Sequence, residues 1–117
     1  QLTPLEFAVL QRLDPAQGRR LTDIGAELLC VKSTITRLVD RLEADGLVLR
    51  TPDPDDRRAQ RLLLTARGLA TRDEAARLHS EAVERRLGWL DLEEQRQLCA
   101  LLEKLRLGLQ TELAREE

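Results

Sequence analysis

The chain has 117 residues, a formal net charge of −2, 42% hydrophobic residues and only 2% aromatic residues. A chain of this length supports one hydrophobic core, so several domains are not expected. The core must be built from Leu, Val, Ile and Ala, a composition that favours helices. Apolar runs of only a few residues exclude a bilayer span, and the N-terminus lacks the basic and apolar segments of a signal peptide. We therefore expect a cytoplasmic protein with no membrane partner.

The small net charge hides an uneven distribution. Residues 1–72 carry 12 Lys and Arg against 10 Asp and Glu, whereas residues 73–117 carry 7 against 11. Within the first part, residues 32–72 hold 9 basic and 6 acidic side chains. Any polyanion is therefore expected to bind within residues 32–72 and not on the acidic C-terminal part.

Two helices are predicted in the first thirty residues. The segment "LTPLEFAVLQRL" has Thr3 as N-cap, Pro4 at the first helical position and Glu6 completing a capping box, which predicts a helix to about Leu13. The segment "DPAQGRR" interrupts it. A second, short helix is predicted from Thr22 through "DIGAELLC".

A third helix follows almost immediately, with Ser33 as its predicted N-cap and Gly46 as its C-terminal stop. Two helices joined so tightly predict a helix-turn-helix. Four aliphatic residues repeat at helical spacing and are predicted to face inward: Ile35, Leu38, Val39 and Leu42. The remaining positions face outward, where a recognition helix makes its base contacts: Thr34, Thr36, Arg37, Asp40 and Arg41.

Beyond this motif, "LVLRT" and "AQRLLLT" predict two short strands, because the Pro and Asp cluster between them marks a hairpin. From Ala66 the pattern is helical to about Trp89. A capping box of Asp91 and Glu94 then begins a last helix that continues to the end. This helix carries an apolar stripe of six leucines: Leu98, Leu101, Leu102, Leu105, Leu109 and Leu113.

The element order is that of a mainly α winged helix-turn-helix with a small two-stranded wing and long C-terminal helices. The sequence resembles the MarR-type transcription regulators in three segments. These are "STITRLVDRLEADGLV" at 33–48, "DPDDRRAQRLLLTARG" at 53–68 with its D-x-R and L-T-x-x-G elements, and "LDLEEQRQLCALLEKL" at 90–105. We predict a DNA-binding domain at 1–68 and a helical dimerisation region at 69–117.

The resemblance implies double-stranded DNA as the partner, with the recognition helix in the major groove. It also implies Arg58 as a minor-groove residue and Asp56 as its partner, a carboxylate that would hold the guanidinium by a charge-assisted pair. A homodimer is implied, joined through N- and C-terminal helices and binding a pseudo-palindrome, mostly as a repressor, with phenolic compounds or aromatic acids as effectors. Regulators of this family usually have a further helix before the one at Thr3, which this sequence does not contain, so the N-terminal part of the dimer interface is expected to be missing or truncated here.

Position along the chain suggests further DNA contacts. Arg37 is predicted to make a bidentate contact with guanine, while Thr34 and Thr36 are expected to contact thymine methyls or phosphates. Ser33 is expected to combine capping with phosphate binding at the positive end of the helix. For Arg41, a DNA contact and a surface ion pair are both left open. Phosphate contacts are predicted for three further basic residues: Lys32, Arg57 and Arg61.

Several residues have simpler interpretations. In isolation, the wing arginines could pair on a solvated hairpin with nearby carboxylates, and only the adjoining helix-turn-helix favours DNA; the carboxylates are Asp53, Asp55 and Asp56. Cys30 and Cys99 are predicted to be reduced and packed, with a redox role for Cys30 left open. His79 and the cysteines lack metal-site spacing, so neither a metal nor a cofactor is predicted. Trp89 is predicted to anchor the core or an interface.

An enzyme is the weakest hypothesis, because the sequence has no Gly-rich phosphate loop and no nucleophile paired with a base. A second hypothesis is a winged-helix protein-interaction module whose acidic C-terminal helices bind a protein and whose wing never meets DNA. Salt separates the two functions. Binding of a polyanion weakens steeply as ionic strength rises, whereas an aliphatic helix interface does not respond in this way.

Overall fold

The computed structural model describes residues 2–116, with side chains to Arg115. Its helices are α1 (Pro4–Gln11), α2 (Leu21–Glu27), α3 (Lys32–Ala44), α4 (Ala66–Leu87) and α5 (Leu92–Glu116). Its strands are β1 (Arg19–Arg20), β2 (Val48–Pro52) and β3 (Gln60–Leu64). The predicted winged helix-turn-helix with long C-terminal helices is confirmed. Within residues 2–116 no helix is long and apolar enough to cross a membrane.

The start of α1 follows the prediction. Thr3 Oγ1 accepts the main-chain N–H of Glu6 at 3.2 Å, and Glu6 Oε1 accepts the main-chain N–H of Thr3 at 3.0 Å. Pro4 opens the helix, since its missing N–H costs nothing at that position. The helix ends at Gln11, two residues before the predicted Leu13, and its inward face is buried at Val9 and Leu10.

The turn between α2 and α3 differs from the prediction. The predicted second helix extended to Cys30, but α2 ends at Glu27 in a Schellman turn. In this turn the main-chain N–H of Cys30 donates to Gly25 at 2.9 Å, and Leu29 adopts a left-handed φ of 57°. The chain then leaves the turn extended at Val31, which becomes the N-cap of α3. Ser33 as N-cap is therefore wrong, because the helix has already begun when the chain reaches it.

The core lies around α3 as its periodicity predicted. Three of the four predicted inward residues are buried, and Leu38 packs against the same cluster. Gly46 ends the helix at a φ of 75°, with Leu47 donating its main-chain N–H to Leu42 at 3.0 Å. The described apolar side chains that are buried all belong to one cluster: Val9, Leu10, Leu13, Ile24, Ile35, Val39, Leu42, Leu47, Val48 and Leu62.

The sheet has three strands where the sequence predicted two. Strands β2 and β3 form the predicted antiparallel hairpin, in register from Val48 opposite Leu64 to Pro52 opposite Gln60. Strand β1 was missed, since two residues are too few for any alternating pattern to be recognised. It pairs with β3 on the other side, so that β3 lies in the centre of the sheet.

Contacts divide the chain after Ala75 into two units. The first holds the winged helix-turn-helix with its core; the second holds the rest of α4 and the whole of α5. The predicted capping box of Asp91 and Glu94 is confirmed by reciprocal hydrogen bonds of 2.9 and 2.8 Å. The boundary between residues 68 and 69 remains a prediction.

The second unit leaves much of its apolar surface uncovered. Among the six leucines of the α5 stripe, five are exposed and Leu113 is half-buried. Trp89 is 90% exposed, so a place in the core, one of its two predicted roles, is wrong for a single chain, while its role as an interface anchor stays a prediction. Cys99 is exposed as well, which contradicts its predicted packing, whereas Cys30 packs against the core of the first unit as expected.

Candidate nucleic-acid interface

The outer face of α3 offers an unpaired guanidinium, on Arg37, and several polar groups. Arg37 is exposed, and its guanidinium has no hydrogen bond or ion pair within residues 2–116. Thr34 is half-buried, and the Thr36 hydroxyl donates to the Lys32 carbonyl oxygen at 2.8 Å, which leaves its methyl group and its oxygen lone pairs for other contacts. Arg41 is 68% exposed, with its Nε 3.8 Å from Glu6 Oε2.

The N-terminus of α3 is open. Its N-cap, Val31, has no side-chain acceptor for the first main-chain N–H groups, and the exposed residues Lys32 and Ser33 occupy the first turn. These N–H groups carry the positive end of the helix dipole, which favours an anion. Ser33 therefore does not cap α3, while its predicted phosphate contact stays a prediction.

Arg50 connects the recognition helix to the wing. Its guanidinium pairs with Asp40, and its main-chain N–H donates to Glu43 Oε2 at 3.2 Å. The Arg50 Nε also lies 3.7 Å from Glu43 Oε1. Asp40, predicted to face outward with the base contacts, thus anchors β2 to α3. Sequence reasoning missed Arg50 because an arginine seven to ten residues from its partners carries no recognisable spacing.

A buried carboxylate organises the base of the wing. Asp53 is 3% exposed, its Oδ2 lies 2.9 Å from Arg20 Nη2, and its Oδ1 lies 3.0 Å from Arg61 Nε. Its Oδ2 also accepts the main-chain N–H groups of Asp55 and Asp56 at 3.2 and 3.0 Å. We call Asp53, Arg20 and Arg61 the Asp53 cluster. It ties β1, β3 and the hairpin loop together at one point.

Burial acts to raise the pKa of Asp53, since it disfavours the charged carboxylate. The hydrogen bonds donated by Arg20, Arg61 and the Asp55 main chain outweigh it, so the pKa is lowered overall. The same pairing raises the pKa of Arg20. Asp53 therefore stays ionised at neutral pH and neutralises charge that would otherwise be unpaired at the base of the wing.

Arg61 is thus paired within the chain, and its predicted phosphate contact stays a prediction. Besides Asp53, its Nη1 donates to the main-chain oxygens of Gln17 and Gly18 at 3.3 and 3.2 Å. The simpler interpretation, in which a wing arginine pairs with a nearby aspartate, is confirmed for Arg61, although in a buried setting. Arg20 was missed altogether, because it lies 33 positions from Asp53 and only the folded chain brings them together.

The wing tip, residues 54–58, presents its arginines without partners. Asp56 Oδ1 accepts the main-chain N–H of Arg58 at 3.0 Å, which shapes the turn as aspartate commonly does. The predicted pair between the Asp56 carboxylate and the Arg58 guanidinium is not formed. Within residues 2–116 neither Arg57 nor Arg58 has an ion pair, and both are exposed. Two guanidinium groups therefore extend from a turn whose main chain is held in place.

Cys30 shows no sign of activation. Its Sγ donates to the Leu28 carbonyl oxygen at 3.6 Å, and burial raises the pKa of the thiol. A thiol with a raised pKa stays protonated at neutral pH and is a poor nucleophile. The packing interpretation is supported. No group of three His, Cys, Asp or Glu side chains within the described residues could hold a metal ion.

The comparisons with known proteins agree with this geometry. The MarR family model matches residues 2–59. The HTH-type transcriptional regulator YkoM of Bacillus subtilis is 37% identical over 101 residues, which cover 86% of this chain and 66% of that protein. The chain thus spans just under two thirds of the length of this relative.

Two solved structures are similar over most of the chain. The transcriptional repressor CouR, bound to a 23-mer DNA duplex, is 36% identical with a TM-score of 0.80, over 90% of this chain and 75% of that one. The PcaV transcriptional regulator of Streptomyces coelicolor, in complex with its natural ligand, is 28% identical with a TM-score of 0.82, over 89% and 74%.

Proposed function

This chain belongs to the MarR family of transcriptional regulators, and we propose that it represses transcription by binding a pseudo-palindromic operator in double-stranded DNA as a homodimer. The observation that carries the proposal is the unpaired cationic surface. Three exposed guanidiniums, on Arg37, Arg57 and Arg58, have no ion pair within residues 2–116, although carboxylates are abundant nearby. Such charges bind phosphates and base edges. The similar repressor CouR is bound to DNA, which supports the same use here.

The two cationic elements would have different targets. We propose that α3 enters the major groove, where Arg37 donates two hydrogen bonds to a guanine, a contact typically worth about 1–3 kcal/mol of discrimination. Arg58 would enter the adjacent minor groove, whose negative potential is greatest at narrow A·T-rich sites. Residues around these two would contact phosphates or thymine methyls: Lys32, Ser33, Thr34, Thr36, Arg41 and Arg57. Arg61 and Asp56 would act indirectly, by holding the wing.

The homodimer is proposed from the second unit. It consists of two long helices, and none of its described apolar side chains is fully buried. Isolated helices with exposed aliphatic faces require a partner, and a second copy supplies the same surface. We assign DNA binding to 1–68 and dimerisation to 69–117. We also propose a cytoplasmic protein that responds to a small-molecule effector, which the ligand complex of PcaV supports. A phenolic compound or an aromatic acid is the effector class that we propose.

The proposal is tested by fluorescence anisotropy with random-sequence and promoter-derived duplexes across a salt series. A preferred palindrome and an affinity that falls steeply with salt are expected, since each phosphate contact releases a counterion. A sample that is dimeric but fails to bind at low salt would overturn the DNA-binding function. It would favour the alternative protein-interaction module, whose binding to its partner would be insensitive to salt.

Replacing Arg58 by Ala is expected to weaken DNA binding by roughly 10-fold to 100-fold, most strongly for A·T-flanked sites, because the minor-groove cation is lost. The thermal unfolding midpoint is expected to stay unchanged, since the Arg58 side chain has no partner within the described residues. Arg86→Ala is the matched control, because it removes the same charge from an exposed position on α4. Equal effects of the two substitutions would show that only net charge matters and that the wing does not contact DNA.

A further inference from the structure

One face of α5 forms an open apolar groove around a glycine. The groove is lined by Leu101, Lys104, Leu105, Gly108, Leu109 and Glu112. Leu101 and Leu105 are 65% and 59% exposed, and they lie seven and three residues before Gly108, on the same side of the helix. A Cβ added at Gly108 would meet nothing within 4 Å. The single chain therefore gives no packing reason for a residue that weakens a helix.

The charged residues on either side of Gly108 are arranged so that they can pair with the same residues of a second copy. Lys104 and Glu112 lie four residues before and four residues after Gly108, on the same face. Neither has an ion pair within residues 2–116, and they are about 12 Å apart along the helix, too far to pair with each other. A two-fold axis through Gly108 would place each Lys104 opposite the Glu112 of a second copy. A parallel arrangement would instead oppose like charges.

We propose that two copies of this chain associate through antiparallel α5 helices that cross at Gly108, with the Leu101 and Leu105 side chains covered and two symmetric Lys104–Glu112 pairs. The absence of a side chain at Gly108 allows the two backbones to approach closely at the crossing point. The inference rests on the proposed homodimer and adds to it the crossing point, the direction of the helices and the charges that select this direction.

Disulfide trapping tests the crossing point. In a chain with Cys30→Ala and Cys99→Ser, Gly108→Cys places a cysteine on the two-fold axis, where its Cα atoms would lie within disulfide distance. Under mild oxidation, most of this variant is expected to run as a covalent dimer on a non-reducing gel. The matched control has Cys30→Ala but keeps Gly108 and the natural Cys99, which is exposed nine residues away on the opposite side of the helix. This control is expected to run as a monomer on the same gel.

Charge reversal tests the direction. Sedimentation equilibrium is expected to show that Lys104→Glu and Glu112→Lys each raise the dimer dissociation constant about 10-fold, because two like-charge pairs replace two attractive ones. The double variant is expected to return within about 2-fold of the parent, which only a direct pairing explains.

The outcomes separate this inference from the function it rests on. In one outcome the parent is dimeric and binds DNA, but the Gly108→Cys variant forms no covalent dimer and the double charge variant does not recover the affinity of the parent dimer. This outcome would overturn the crossing at Gly108 and leave the regulator function intact. A parent that is monomeric at the concentrations at which it binds DNA would overturn both the crossing and the proposed homodimer.

Discussion

Replacing Asp53 by Ala is expected to lower the midpoint of thermal unfolding by roughly 10 °C, because the substitution removes a buried carboxylate that accepts four hydrogen bonds. Arg20 and Arg61 would lose their shared carboxylate, and the main-chain N–H groups of Asp55 and Asp56 would lose their acceptor. Breaking one side of a buried ion pair costs more than the pair contributes, since the partner charges stay unneutralised. The unfolding midpoint is measured by circular dichroism.

DNA binding by the Asp53 variant is expected to fall as well, at a temperature where it is still folded. Arg57 and Arg58 follow directly on the segment that Asp53 holds. Without Asp53 the wing tip is more mobile, and it would lose more conformational entropy when Arg58 enters the minor groove, which weakens DNA binding. Asp55→Ala is the control: it removes the same charge two residues away, from an exposed side chain. If Asp53→Ala and Asp55→Ala gave equal midpoints and equal affinities, the Asp53 cluster would have no structural role.

The same cluster predicts how stability depends on pH. The pKa of Asp53 is lowered in the folded state, below an unfolded value of about 3.9. The unfolded chain therefore binds the proton more readily, and the contribution of Asp53 is present above about pH 4 and is lost as pH falls through the folded pKa. The difference in unfolding free energy between the parent and Asp53→Asn is expected to be constant near neutral pH and to shrink below about pH 4.

Local rules predicted much of this fold. Both capping boxes, the end of α3 at Gly46 and the inward face of α3 depend on residues three to five positions apart, so the sequence alone contains their partners. The exception among local features is Ser33. A serine is a good N-cap, but the Schellman turn at Leu29 had already determined where α3 begins. Geometry imposed by the preceding turn outweighed the preference of the residue itself.

The candidate site was predicted only in part, because arginines in one short segment have different partners. Arg57 and Arg58 lie in an exposed turn, whereas Arg61 lies on the central strand and is turned toward Asp53. Charge and spacing alone cannot distinguish them, since the distinction depends on β1, a strand of two residues. Arg20 and Arg50 were missed for the same reason: each meets its carboxylate through tertiary contacts.

The apolar surface of the second unit marks another limit of sequence reasoning. Periodicity correctly identified the leucine stripe of α5, since that depends only on helical spacing. It did not show which leucines a single chain covers. Trp89, expected in the core or at an interface, is exposed in the single chain. An apolar pattern identifies a surface that must be buried, but the partner that buries it is a separate question.

Replacing Gly68 by Ala is expected to lower the free energy of unfolding by about 3 kcal/mol or more, because a buried backbone contact leaves no room for a methyl group. Gly68 lies in the first turn of α4, where an added Cβ would be 1.9 Å from the Leu47 carbonyl oxygen. Thr65 holds the same junction: its hydroxyl donates to the Gly46 carbonyl at 2.7 Å and accepts the Gly68 N–H at 2.9 Å. The L-T-x-x-G element thus packs the start of α4 against the end of α3.

Gly46→Ala provides the comparison, because its cost has a different origin. At Gly46 the φ of 75° strains any other residue, but an added Cβ would have only the Arg67 side chain nearby, at 3.9 Å. The expected loss is about 1–2 kcal/mol, the cost of one left-handed residue. Urea denaturation of both variants separates the two causes. Equal losses would mean that the backbone around Gly68 and Leu47 shifts easily to admit a methyl group, whereas a larger loss at Gly68 would show that this close backbone contact is rigid.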